Sequence, residues 1–222
     1  MTGFQRGTRL RVTCVLAGIL VVANFALTVP ASAQTIIDEW ASVKALPPPE
    51  LKPVKIEPKE TALLMLDFVK QICSPQLIPR CVARIPKVQD LLKEARAKGV
   101  HVIYSIAFGT SVADILPEVA PLAGEPVVQS VADKFFRTDL ERILNDKGVK
   151  TVIVVGQAAQ GGVLYTASEA AWRGQKVIVP VDVMSSEDPY IEQYVVQQFV
   201  GHVMTLILRR AVTVTKLSLI SY

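Results

Sequence analysis

The sequence predicts an α/β domain of three layers, with helices on both faces of a mostly parallel sheet. Apolar runs that do not alternate with polar residues, such as Val-Ile-Val-Val at 152–155, are typical of strands buried on both faces. Segments with helical spacing of apolar residues separate these runs, and the connections are short. The chain has 222 residues, 50% hydrophobic and 20% charged, which is enough for one such domain with a full core.

The first 33 residues have the features of a secretory signal peptide. An apolar run at 12–29 is followed by the small residues Ala31, Ser32 and Ala33, and three arginines precede it: Arg6, Arg9 and Arg11. We therefore expect cleavage after Ala33 and a periplasmic or secreted mature protein that begins at Gln34 and has no membrane segment. The run is close to the length of a membrane span, so an uncleaved anchor is the alternative.

The charge balance argues against nucleic acid as a partner. The chain carries 24 Lys and Arg against 20 Asp and Glu, and loss of the three signal-peptide arginines leaves 21 against 20. The mature protein is therefore close to neutral, and it lacks a cluster of basic and aromatic residues of the kind that binds nucleic acid.

The mature chain keeps two cysteines, Cys73 and Cys81. Proteins in an oxidising compartment commonly pair their cysteines, so we expect a disulfide between these two. Two buried free thiols or a catalytic thiol are the alternatives. A catalytic thiol is disfavoured because neither cysteine has a histidine nearby in the sequence to act as its base.

Residues 34–59 are rich in proline and have weak periodicity. This segment is too short to form a domain. We expect a short helix at 36–43, followed by an extended arm that lies on the domain or on a neighbouring subunit. The domain itself is expected at 60–222.

Six strands alternate with helices along this domain. The strands are expected at 62–66, 100–105, 127–131, 152–155, 176–181 and 211–215. One helix is expected from near Pro86 to Gly99, a second at 139–147 after a capping box at 138–141, and a third at 163–173. A last helix begins at Pro189, with four residues on its inner side: Ile191, Tyr194, Val195 and Gln198.

Two charged residues follow predicted strands. Asp67 ends the first strand and Lys134 comes after the third, so both belong to the carboxyl edge of the sheet. A carboxyl there is partly desolvated and tends to be protonated, whereas a nearby lysine stabilises its anion. Such a pair can donate and accept a proton. The alternative is structural, with Asp67 capping a turn and Lys134 solvated on a loop.

The turn after the fourth strand is the other candidate site. The N–H groups at the start of a helix can bind an anion or oxyanion at this edge of a parallel sheet. The candidate residues are Gln157, Ala158, Gln160, Gly161 and Gly162. A tight turn that needs small residues for packing is the alternative.

The order and spacing of these motifs resemble the isochorismatase-like hydrolases, which include cysteine hydrolases such as nicotinamidase. The resemblance covers 61 to about 215 and rests on TALLMLDF, EARAKGVHVIYS, TDLERIL and VIVVGQAAQGGVLYTASEAAWRGQKVIVPVD, together with the Asp-Lys pair at 133–134. It implies a six-stranded sheet, a homo-oligomer, a cis peptide bond between Gln157 and Ala158, and catalysis by Asp67, Lys134 and usually a cysteine.

That cysteine is missing here. Counted from Gly156, its place is taken by Gly162, which excludes a thioester at this position. True isochorismatases resemble this chain in having glycine there, and their aspartic acid protonates a vinyl ether. Two departures disfavour isochorismate itself: Val69 replaces a common glutamine, and the segment after Lys134 is short.

We therefore expect an exported hydrolase that acts on a small molecule by acid–base chemistry of Asp67 and Lys134. The alternative is a catalytically inactive member of the same fold that binds a small molecule or acts as a scaffold. No cofactor is expected. No metal site is expected either, because His101 and His202 are better interpreted as structural.

Overall fold

The computed structural model describes residues 35–201 and 205–222. The predicted signal peptide at 1–33 and His202 lie outside this range. The chain divides into two units, Met1–Lys44 and Ala45–Tyr222. Within the first unit, helix α1 (Ile36–Glu39) begins after Thr35, whose main-chain N–H and hydroxyl both donate to the Asp38 carboxylate.

The second unit contains one six-stranded sheet and one short two-stranded sheet. The large sheet is formed by β2 (Thr61–Leu66), β3 (His101–Ala107), β4 (Val127–Ser130), β5 (Thr151–Gly156), β6 (Lys176–Pro180) and β7 (Val212–Thr215). The small sheet pairs β1 (Val54–Lys55) with β8 (Ile220–Ser221). In the large sheet the order is β4-β3-β2-β5-β6-β7, and every neighbouring pair is parallel. The predicted six-stranded parallel sheet is confirmed.

The strand order changes direction between β2 and β5. From β2 the chain proceeds outward through β3 and β4, and it then returns to the other side of β2 to continue through β5, β6 and β7. At such a switch point the loops at the carboxyl ends of the two central strands diverge, which leaves a crevice. Asp67 follows β2 and the glycine turn follows β5, so both candidate sites lie at this switch point.

The two faces of the sheet form separate core layers, because successive side chains of a strand point in opposite directions. Leu64 and Val154 belong to one layer, and Leu63 and Ile153 belong to the other. All six residues of β2 are buried. The uninterrupted apolar runs therefore belong to strands that are buried on both faces, as the sequence predicted.

Within the described residues, five helices surround the large sheet: α2 (Pro79–Lys98), α3 (Leu140–Asp146), α4 (Leu164–Trp172), α5 (Pro189–Val200) and α6 (Leu206–Ala211). A π-helical turn, Ala159–Val163, leads into α4. Residues 107–126 contain two short 3-10 turns, Val112–Asp114 and Pro117–Val119. None of the helices in the described part of the chain is long and apolar enough to cross a membrane.

Helix α2 begins earlier than the sequence indicated. Its first residue is Pro79, and Pro86 lies inside it. Proline fits the first helical position because the N–H that it lacks would be unpaired there. Pro86 and Val82 are both on the exposed side, where water can satisfy the Val82 carbonyl that Pro86 leaves without a donor. The start near Pro86 was therefore wrong.

Two details of α3 and α5 also differ from expectation. The predicted capping box does not form, since Glu141 instead pairs with Arg173 and the Thr138 hydroxyl accepts from Leu140 N. On α5, Tyr194 is exposed, while Glu192 is buried. The helix is rotated because Glu192 binds two arginines of α2, described below.

The proline-rich segment of the second unit covers the outer edge of the sheet. Lys52 N donates to Val214 O on β7, and Lys52 O accepts the Thr215 hydroxyl. Gln197 of α5 donates to Pro47 O. These contacts occupy an edge strand that would otherwise offer unpaired main-chain groups.

Candidate active site

Asp67 stands at the carboxyl end of β2 with a left-handed main chain, at φ 54°. Aspartate tolerates this conformation better than most residues. Its N–H donates to Ser105 O of the neighbouring β3, at 3.1 Å. The conformation turns the chain out of the sheet, and Asp67 as a whole is only 5% exposed.

Both carboxyl oxygens of Asp67 have a partner. Lys134 Nζ lies 2.7 Å from Oδ2, and the Ser105 hydroxyl donates to Oδ1 at 3.0 Å. Lys134 is 1% exposed and also donates to Val131 O at 2.7 Å. The structure thus brings the two predicted charged residues into one buried ion pair, and it adds Ser105, which sequence reasoning missed.

Burial dominates the electrostatics of this pair. It raises the pKa of Asp67 above its ordinary value, because the charged form loses its hydration, while Lys134 and the Ser105 hydroxyl oppose the rise. Burial thus favours the neutral acid, which can donate a proton, and the nearby Lys134 stabilises the carboxylate that donation leaves. A group that transfers protons has to be able to adopt both forms.

A network of hydrogen bonds fixes the segment that carries Lys134. Its main-chain N–H donates to the Thr166 hydroxyl of α4 at 3.2 Å, and its carbonyl accepts the Thr138 hydroxyl at 2.5 Å. The Ser130 hydroxyl donates to the carbonyls of Asp133 and Phe136. The short segment after Lys134 is therefore tied at both ends, and it directs the lysine side chain inward.

The turn after β5 depends on Gly156 at its start. Gly156 has φ 130°, and a β-carbon there would overlap the main-chain oxygen of Leu66 on β2. Glycine is required because the two central strands approach closely at their carboxyl ends. The peptide bond between Gln157 and Ala158 is cis, as the family resemblance implied.

The predicted turn residues lie against the loop that follows β6. Gln157 Oε1 accepts the Ser185 hydroxyl at 2.7 Å, Ala159 N donates to Ser185 O at 2.8 Å, and Gln160 Oε1 accepts the Ser186 hydroxyl at 2.8 Å. The main-chain N–H of Ala158 differs from its neighbours. It has no acceptor in the described residues.

Gly161 and Gly162 occupy different environments. A β-carbon on Gly161 would meet only Ala132 Cβ, at 3.9 Å. A β-carbon on Gly162 would lie 2.5 Å from Gln157 O and 3.7 Å from Asp67 Oδ2. Gly162 is therefore the turn residue that borders the carboxyl of Asp67, and the main chain is closed around it.

A buried charged cluster supports the loop behind the turn. Glu192 of α5 accepts hydrogen bonds from Arg80 and Arg84 of α2, all at 2.8–2.9 Å, and from Ser186 N at 3.1 Å. Arg84 also donates to Met184 O. The cluster thus ties the loop after β6 to α2. Sequence reasoning missed it, because a glutamate on an otherwise apolar helix face was the only signal.

Cys73 and Cys81 form a disulfide, with their α-carbons 5.4 Å apart. Both residues are buried, Cys73 in the loop after Asp67 and Cys81 in the first turn of α2. Of the three alternatives that the sequence left open, the structure has the disulfide. Neither sulfur is therefore free to act as a nucleophile.

The described residues contain no group of three or more His, Cys, Asp or Glu side chains that could hold a metal ion. His101 begins β3, at the amino edge of the sheet, and its Nε2 lies 3.2 Å from Lys59 O. This edge is opposite the one that carries Asp67.

Comparisons with known proteins agree with this architecture. The family model described as the isochorismatase domain matches residues 61–208. The chain is 31% identical over 142 residues to a secreted isochorismatase effector, Isc1, of Verticillium dahliae, covering 59% of this chain and 75% of that protein. It is 28% identical over 149 residues to a maleamate amidohydrolase of Pseudomonas putida, covering 54% and 70%.

A solved structure shares the fold. An isochorismatase family protein from Desulfovibrio vulgaris superposes with a TM-score of 0.64 at 20% identity, over 72% of this chain and 95% of that one.

Proposed function

Because this chain belongs to the isochorismatase domain family, we propose that it is a hydrolase of a small molecule in which Asp67 transfers the proton and no cysteine forms a covalent intermediate. One observation carries the proposal. Lys134 Nζ and Asp67 Oδ2 form a buried ion pair at 2.7 Å, and that oxygen borders Gly162, where a nucleophilic side chain is absent.

Both oxygens of the Asp67 carboxylate accept a hydrogen bond, Oδ1 from the Ser105 hydroxyl and Oδ2 from the Lys134 ammonium group. Oδ2 is the oxygen beside Gly162, so we take it as the atom that exchanges the proton with the substrate. Burial raises the pKa of Asp67 and favours this neutral donor. After donation, the ammonium group of Lys134 stabilises the carboxylate. The same carboxyl can then take a proton back.

An enol ether is the substrate class that this pair can hydrolyse without further groups. Asp67 gives its proton to the alkene carbon, and water adds to the resulting oxocarbenium ion. A proton from that water returns to the Asp67 carboxylate. The hemiketal then separates into a carbonyl compound and an alcohol. The sum is addition of one water molecule, and the protein ends in its starting state.

The Ala158 N–H supports a role for the turn in binding a substrate oxygen. The flanking N–H groups, of Gln157 and Ala159, donate to Leu66 O and Ser185 O, whereas that of Ala158 has no acceptor in the described parts of the chain. A carbonyl or carboxylate oxygen of the substrate, away from the reacting ether, would accept from this donor at the start of a helix. The substrate would thereby be oriented towards Asp67.

The test is a screen of enol ethers, esters and amides with the purified mature protein. We expect turnover that Asp67→Asn lowers by about 10²–10⁴-fold, the usual cost of losing a proton-transfer group. Glu60→Gln is the matched control, since it removes a carboxylate from an exposed ion pair with Lys150. Turnover that survives Asp67→Asn contradicts the assignment. Binding of these compounds without turnover favours the inactive, ligand-binding alternative.

Export and assembly are part of the proposal. The basic and apolar start, followed by Ala31-Ser32-Ala33, supports secretion, and a relative is named as a secreted effector. Intact-mass analysis of protein recovered from the periplasm should give a chain that begins at Gln34. A mass that includes residues 1–33 would indicate an anchor. Light scattering after gel filtration should give a multiple of the monomer mass, and a monomer contradicts the homo-oligomer.

A further inference from the structure

Gln157 has a buried side chain whose amide group takes no part in the proposed proton transfer. The residue is 0% exposed. Its Oε1 accepts the Ser185 hydroxyl at 2.7 Å, and its Nε2 lies directly against Cys81 Sγ of the disulfide. A buried amide that loses a partner pays the cost of desolvation without compensation. Both ends of this side chain are thus held in place.

The main chain of Gln157 contacts both parts of the candidate site. Its N–H donates at 3.1 Å to Leu66 O, the residue before Asp67. Its carbonyl oxygen faces Gly162, 2.5 Å from the position of a β-carbon there. A shift of Gln157 therefore moves the turn relative to the Asp67 carboxyl.

The sulfur atom that Gln157 contacts belongs to the disulfide. Cys81 lies in the first turn of α2, and Cys73 lies in the loop that leaves Asp67, where its N–H donates to Val69 O at 2.8 Å. The sulfur of Cys81 lies beside Gln157 through its place on α2, and the crosslink additionally joins that sulfur to the loop after Asp67.

We propose that Gln157 is a positioning residue, which couples the Cys81 sulfur to the geometry of the turn and of Asp67. The inference rests on the proposed function only in that Asp67 is the reacting group. The charged group that faces the Asp67 carboxyl is Lys134, and Ser105 is its uncharged partner. In the described residues no hydrogen bond joins either of them to the disulfide, so we expect an effect of Cys81 on Asp67 to pass through the turn or the loop.

Two single-cysteine variants separate these routes. Cys73→Ala and Cys81→Ala both open the crosslink and free the same loop, but only Cys81→Ala removes the sulfur next to Gln157. We expect main-chain amide exchange at 159–163 to be at least about fivefold faster in Cys81→Ala than in Cys73→Ala. The Asp67 carboxyl, followed by ¹³C NMR and assigned with Asp67→Asn, should change its titration more in Cys81→Ala.

A third variant keeps the disulfide. Gln157→Met preserves the length of the side chain and lacks the amide, and it should reproduce the effects of Cys81→Ala. Equal exchange and equal Asp67 titration in the two cysteine variants would overturn the proposal, and so would a Gln157→Met protein that behaves like the wild type. None of these measurements uses a substrate. Failure here therefore leaves the test of turnover unaffected, and the reverse holds too.

Discussion

The main-chain oxygen of Gln157 lies 2.5 Å from the position that a β-carbon would take on Gly162. The turn is thus packed against itself at the point that borders Asp67. Gly161, one residue earlier, has room for a β-carbon, with Ala132 Cβ at 3.9 Å. Adjacent glycines therefore give a matched pair of variants.

Gly162→Ala should destabilise the protein by about 1–3 kcal/mol, since the new methyl group forces the Gln157 carbonyl to move. Gly161→Ala should be neutral or stabilising by up to about 1 kcal/mol, because it reduces the freedom of the unfolded chain without a clash. Urea unfolding monitored by circular dichroism gives both values. Equal effects would show that the turn is not closed around Gly162.

Ser105→Ala should shift the pH dependence of Asp67. The Ser105 hydroxyl favours the carboxylate, so its loss raises the pKa of Asp67 further above its ordinary value. If Asp67 acts as the acid, activity falls as pH rises through this pKa, and the alkaline limb of the profile should move to higher pH. Ser105→Thr keeps the hydroxyl and should restore the wild-type limb. If the pH profile of Ser105→Ala is not shifted, the titration of Asp67 is not the cause of the alkaline limb.

Lys134→Met should make stability more dependent on pH. The folded state already raises the pKa of Asp67, so the stability contributed by its neutral form is present at low pH and is lost as pH rises through the folded pKa. Without Lys134 this loss is larger, and we expect unfolding free energy at neutral pH to fall by about 3–5 kcal/mol. The loss of stability in Lys134→Met should become smaller as the pH is lowered towards 3.8, the ordinary pKa of an aspartate.

The control for this experiment is Lys150→Met, which breaks an exposed pair with Glu60. That change should cost less than about 1 kcal/mol at any pH. Urea midpoints between pH 4 and pH 8 provide the comparison. A deficit of Lys134→Met that does not depend on pH would mean that Asp67 is not the group responsible.

Glu192→Gln should have the opposite pH dependence. Burial raises the pKa of Glu192, but hydrogen bonds from Arg80 and Arg84 outweigh it and hold the pKa below its ordinary value of 4.5. The stability from this cluster is therefore present above that value and is lost as pH falls through the folded pKa. The variant should be about 3 kcal/mol less stable than wild type at pH 7, and the two should converge at low pH. A constant difference across pH would contradict this account.

The sequence by itself determined the sheet and the edge of the sheet that carries the candidate site. Uninterrupted apolar runs such as that of β5 identify strands buried on both faces, because a strand with one solvent-exposed face would alternate apolar and polar residues. The end of such a run also identifies its carboxyl edge, and this was enough to single out Asp67 and the turn at 157–162. The family resemblance, through its glycine-to-cysteine spacing counted from Gly156, identified Gly162, which the structure places next to Asp67.

Only the tertiary structure decided which side chains surround that edge. Ser105 meets Asp67 across 38 residues, Gln157 meets Cys81 across 76, and Arg80 meets Glu192 across 112. Periodicity shows which residues of an element are buried, but it does not show which elements face each other or how each is rotated. A buried polar group is stable only with its partner, and the partners come from other elements of the folded chain.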